Sequence, residues 1–99
     1  MKIAFFDTKP YDKVAFDKYS ENTDIEFKYY ETKLNQDTVY LANGFDGVCV
    51  FVNDTVNAFV IDKLTEMGVK VIALRCAGFN NVDMKYAFGK IHVLRVPAY

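Results

Sequence analysis

"GVCVFVNDTVNAFVIDKLTEMGVKVIAL", residues 47–74, decides the fold. Two largely apolar runs, 47–52 and 69–74, the second interrupted only by Lys70, have the length and β-branched character of strands. Between them Val56, Phe59, Val60, Leu64 and Met67 recur at helical spacing. Asp54 or Thr55 stands where a helix cap is expected, and Gly68 lies just past the helix end. A strand, a helix and a second strand of these lengths form a parallel pair with a right-handed crossover. Because neither run alternates with polar residues, both strands belong inside a sheet that is covered on two faces.

The same alternation continues outward. "KIAFF" (2–6) reads as a strand, and Pro10 suits the first turn of a helix that places Tyr11, Val14, Ala15 and Tyr19 on one face. "IEFKYY" (25–30) alternates, a short helix around 36–43 stops at Gly44, "VDMKYAF" forms a fourth helix, and "IHVLRV" (91–96) a fifth strand. The second strand alternates Glu26 and Lys28 with apolar residues and the fifth carries His92 and Arg95, polar content that suits edge strands. The expected fold is α/β: a flavodoxin-like three-layer sandwich with a five-stranded parallel sheet in the order 2-1-3-4-5.

Composition narrows the function. Ninety-nine residues with 52% hydrophobic and 25% charged side chains make one globular domain. A net charge of −1 leaves no electrostatic footprint for nucleic acid or an anionic membrane. No apolar run approaches the ~20 residues that span a bilayer, and the apolar start is too short for a signal-peptide core. Cys49 and Cys76 form neither a disulfide framework nor a CxxC metal site, so a reduced cytoplasm is expected. The glycines at 44, 47, 68, 78 and 89 give neither GxGxxG nor a P-loop.

In doubly wound sheets ligands bind beyond the carboxyl ends of the strands. Those ends are Asp7-Thr8, the segment 52–54, the segment 75–79 and the segment 97–99. The turn "RCAGF" running into "NNVD" exposes successive backbone N–H groups of the kind that hold a carboxylate or phosphate. Spacing alone favours a plainer reading, in which Gly78 supplies a positive φ and Arg75 pairs with a surface carboxylate. Asp7 and Asp54 are placed as in a phosphorylation receiver, but no second acid stands beside Asp7, no Ser or Thr ends strand four, and no Lys ends strand five. His92, the single histidine, sits within the last strand in a structural or solvated role. The residues alone complete no catalytic set.

"MKIAFFDTKPYDK", "DGVCVFVND", "VIALRCAGFNNVDM" and "VLRVPAY" together resemble the N-terminal part of the D-isomer-specific 2-hydroxyacid dehydrogenases, in particular bacterial D-lactate dehydrogenases. The resemblance runs from end to end. One departure is "YAFGKIHV", where the family often has a longer helix. It implies that residues 1–99 are the substrate-binding (catalytic) domain, without the NAD-binding Rossmann domain and the returning C-terminal helix. By resemblance, the N–H groups of Ala77 and Gly78 hold the carboxylate of pyruvate or D-lactate, Phe51 lines the methyl pocket, and Tyr99 projects over the substrate. Cys76 and Phe79 shape the loop, and Arg75 braces it or the interdomain contact. The catalytic histidine, its acidic partner and the substrate-clamping arginine lie outside the chain. NAD serves the full-length enzyme and is not bound here; the full-length protein is expected to be a homodimer, and this chain alone inactive. Uncovered, one sheet face should expose apolar surface. A stand-alone flavodoxin-like binding module is the alternative.

Overall fold

A computed structural model describes residues 1–51, 53–75 and 82–95. Its strands are β1 (Lys2–Phe5), β2 (Glu26–Tyr29), β3 (Gly47–Val50), β4 (Val71–Leu74) and β5 (His92–Arg95). Helices α1 (Pro10–Glu21), α2 (Ala58–Glu66) and α3 (Met84–Ala87) and a 3₁₀ turn, Val39–Ala42, connect them. All neighbouring strands are parallel and their order is 2-1-3-4-5, as expected. β3 is buried throughout, whereas β2 and β5 are half-exposed or exposed along their lengths. Sequence texture had assigned the interior and the edges correctly.

The two sheet faces differ. Ala4, Phe6, Val48, Val50, Ile72 and Leu74 pack beneath α2, α3 and the 3₁₀ turn in the larger core. Ile3, Phe5 and Cys49 face α1, which contributes Phe16. Phe5 lies at the centre of that side, with ring centroids of Phe16 and Tyr29 at 4.8 and 5.2 Å. Beyond α1, toward β5, the same face is open: a groove of about 410 Å³ runs over Ile3, Cys49, Val71, Ala73 and Leu94. This is the apolar exposure expected of an uncovered sheet face.

Helix α1 is turned differently from its apolar pattern, whereas the α2 stripe holds at Val56, Val60, Leu64 and Met67 and departs at Phe59. In α1, Tyr11, Val14 and Tyr19 are exposed, Val14 at 64%, while Asp12 and Phe16 face inward. The cause is electrostatic: Asp12 meets a buried cation, and Phe16, four residues on, follows it onto the same helical face. In α2 the cap is Asn57, whose Oδ1 accepts from the Val60 N–H at 3.0 Å; neither Asp54 nor Thr55 caps it. Starting later, the helix buries Val60, Ile61 and Leu64 and leaves Phe59 exposed. Val56 precedes it, bridged to Val82. Gly68, at φ 84°, ends the helix as expected.

At Gly47, in β3, side chains of β1 and β4 close in on the backbone. A Cβ there would lie 2.5 Å from Val71 Cγ1, 2.9 Å from Ile3 Cδ1 and 3.2 Å from the Val71 carbonyl oxygen. The methyls can shift but the ladder carbonyl cannot, so Gly47→Ala should cost about 1–3 kcal/mol. Urea unfolding checks this, as a lower midpoint at unchanged m value.

Candidate functional site

The described part of the carboxyl edge is built around one cation. β4 continues one residue past Leu74, where the Arg75 N–H donates to the Val50 carbonyl at 2.9 Å. Strand alternation then sends the Arg75 side chain to the face shared with Ala73, Cys49 and Phe5. The residue is 2% exposed and its side chain fully buried. NH1 donates to Asp12 Oδ2 at 2.6 Å, and NH2 donates to the carbonyl of Phe6 and, at 3.3 Å, to that of Asp7. Cζ lies over the Phe5 ring at 4.1 Å and over the Phe51 ring at 5.1 Å.

Asp12 can serve because of its place in the helix. It is the third residue of α1, and its Oδ2 also accepts the Lys9 N–H at 2.9 Å, closing the helix start. A carboxylate suits the positive end of a helix, so local capping and the long-range ion pair favour the same rotamer. Asp7, at φ 50°, turns the chain out of β1; its carboxylate pairs with Lys9 Nζ at 3.0 Å and its N–H donates to Thr32 O at 2.8 Å. The hydrogen bond from Lys9 Nζ to the Asp7 carboxylate holds the Lys9 ammonium above its ordinary pKa.

Phe51 leaves β3 half-buried at the edge of this cluster. Asp54 fixes its backbone: Oδ2 accepts the Phe51 N–H at 2.6 Å and Oδ1 accepts the Leu34 N–H at 2.7 Å. The Asp54 N–H returns to the Phe51 carbonyl at 3.0 Å. Burial pushes the Asp54 carboxyl up from 3.8 to about 6, against the downward pull of the two backbone donors. A buried carboxylate with both oxygens bonded to the main chain is a loop clip and offers no surface for phosphorylation, which removes the receiver reading.

The structure thus brings together Arg75, Asp7 and Phe51. It corrects the plain expectation for Arg75, whose carboxylate partner is fully buried and not at the surface. Cys76, Ala77, Gly78, Phe79 and Tyr99 lie outside the described residues. Periodicity does not single out Asp12, which lies beside the apolar stripe of α1; the signal for it is an arginine at the end of an interior strand, which requires a buried counter-charge. Burial pushes the Cys49 thiol up to about 12, leaving it a core residue. Exposed His92 takes no part in the cluster. Among the described residues no group of acidic, histidine and cysteine side chains could hold a metal ion, and no helix is long and apolar enough to cross a membrane.

The sequence matches the model of the family described as "D-isomer specific 2-hydroxyacid dehydrogenase, catalytic domain" over residues 3–99. It is 53% identical over 100 residues to 2-hydroxyacid dehydrogenase homolog 1 of Schizosaccharomyces pombe, covering all of this chain and 30% of that protein. Against the D-lactate dehydrogenase of Escherichia coli identity is 46% over 101 residues, again 100% of this chain and 30% of the relative. The apo-structure of D-lactate dehydrogenase from Escherichia coli superposes with a TM-score of 0.94 at 45% identity, over all of this chain and 32% of that one. An NAD-complexed D-isomer specific 2-hydroxyacid dehydrogenase from Lactobacillus delbrueckii ssp. bulgaricus gives 0.86 at 32% identity, over 100% and 30%. The chain spans about 30% of the length of the curated relatives it matches. Fold, sheet order and the whole length of the sequence agree, and the chain belongs to the D-isomer specific 2-hydroxyacid dehydrogenases.

Proposed function

We propose that this chain is the substrate-binding domain of an NAD-dependent D-lactate dehydrogenase and is inactive by itself. The observation that carries the reading is the family match over residues 3–99, together with a sheet whose carboxyl edge leads into "CAGF". Ala77 and Gly78 offer backbone N–H groups to the carboxylate of pyruvate. Phe51 closes the methyl side, Cys76 and Phe79 shape the loop, and Tyr99 covers the substrate. Fixed donors of this kind act by holding the keto acid in a near-attack position and by replacing water around its charge.

The residues present do not suit NAD. The exit of β1, where a dinucleotide fold would place its glycine turn, holds the buried carboxylate of Asp7, and the start of α1 is already closed by the carboxylate of Asp12. The cofactor belongs to the remaining part of the polypeptide, where it supplies the hydride that turns pyruvate into D-lactate. The full-length protein acts in the cytoplasm as a homodimer joined through that part. The groove over Val71, Ala73 and Leu94 receives the returning helix of the same polypeptide.

The test is expression of the polypeptide encoded by the whole open reading frame, with NADH oxidation followed on pyruvate. Turnover yielding D-lactate is expected; a folded full-length protein inert toward pyruvate overturns the proposal. The 99-residue chain, with half of the substrate contacts missing, should bind pyruvate too weakly for calorimetry to detect at millimolar concentration. Its open groove should also drive concentration-dependent self-association in sedimentation velocity. Leu94→Lys, which charges the groove rim, should shift the chain toward monomer.

A further inference from the structure

The contacts of Arg75 reach one residue of the proposed substrate pocket. Phe51 has its main chain clipped by Asp54 on both sides of the peptide, through the N–H at 2.6 Å and the carbonyl at 3.0 Å. Its ring is a separate matter, because a backbone clip does not choose a rotamer. The guanidinium that lies over this ring at 5.1 Å is itself immobilised by Asp12 and by the carbonyls of Phe6 and Asp7. Beneath the same cation lies Phe5, fully buried and held edge-on by Phe16. A planar cation on a fixed mount restricts the ring orientations of an aromatic neighbour, which an ammonium on a flexible stem does far less.

The geometry points to Arg75 as a positioning residue that sets the Phe51 ring and through it the side-chain selectivity of the pocket. The inference rests on Phe51 being the pocket wall proposed above. It requires no contact between Arg75 and substrate: among the described residues, NH1 donates to Asp12 of α1 and NH2 to the carbonyls of Phe6 and Asp7 just past β1. The effect is transmitted from Asp12 through Arg75 to Phe51.

The experiment uses the full-length enzyme with glyoxylate, pyruvate and 2-oxobutanoate, which share the keto acid and differ in side chain. Arg75→Lys retains a charge for Asp12 and removes the plane. The ratio of kcat/KM for pyruvate over glyoxylate should fall roughly 3- to 10-fold, mostly through KM, as the methyl group loses its wall. The ratio for 2-oxobutanoate over pyruvate should rise. In a Phe51→Leu background the same substitution should leave both ratios unmoved, since the coupling runs through the ring. A loss equal on all three substrates, or ratios unchanged in the Phe51 parent, overturns the inference and leaves Arg75 a brace alone. Should Arg75→Lys not fold, Asp12→Asn, which loosens the mount and keeps the guanidinium, must shift the ratios in the same direction or the inference fails. Failure of the functional reading is distinguishable, because the unsubstituted enzyme would then turn over none of the three.

Discussion

Arg75→Met is expected to remove most of the folding stability of this chain. The substitution keeps much of the volume and deletes the charge, leaving the Asp12 carboxylate fully buried without its counter-ion. Breaking one side of a buried pair costs about 3–5 kcal/mol, against about 5–15 kcal/mol for a whole domain. The Phe6 carbonyl, which accepts from NH2, loses its partner as well. Urea unfolding should show a much lower midpoint, or no folded baseline. The informative companion is Arg75→Met with Asp12→Leu. Removing both charges takes away the uncompensated carboxylate, so the double variant should be more stable than Arg75→Met alone. Equal stability of the single variant and the parent would mean that the pair does not hold the carboxyl edge.

Asp54→Ala is expected to be nearly as damaging, for a different reason. Two backbone N–H groups, of Leu34 and Phe51, lose their acceptor in a buried loop. Each orphaned donor costs about 1–3 kcal/mol. The pH dependence identifies the cause. A carboxyl raised from 3.8 to about 6 in the fold contributes stability that is fully present below its ordinary value and lost as pH rises through 6. The parent should therefore gain about 1 kcal/mol from this group between pH 7.5 and pH 5, and the alanine variant should not. The penalty of Asp54→Ala should accordingly be larger at pH 5 than at pH 7.5 in paired urea titrations. A penalty independent of pH would count against burial as the source of the shift.

The sheet was legible because its signals are local. Continuous apolar runs marked β3 and β4, alternation marked β2, and Gly68 marked the end of α2. The rotation of α1 was not legible, since its decisive contact joins residues 63 positions apart. Periodicity favoured the stripe with more apolar side chains, and a single buried ion pair outweighed it. The α2 start failed for a related reason: Asp54 has a cap-forming side chain, but it bonds to Leu34, 20 residues back, and leaves capping to Asn57. Of the site, Phe51 and Arg75 could be read from the strand ends and the resemblance, while the mount beneath them could not. Residues whose partners are adjacent in sequence declare themselves; residues whose partners arrive through the crossovers do not.

The open groove also bears on how this sequence can drift. Side chains on the α2 face pack against one another in a buried core among the described residues. Val71, Ala73 and Leu94 are half-exposed or exposed on the other face, so this chain's own packing constrains them weakly. Their identities are set by whatever surface covers them. Substitutions there should track compensating changes in that cover, while those in the buried core track one another, so two independent histories are written on the two sides of one sheet.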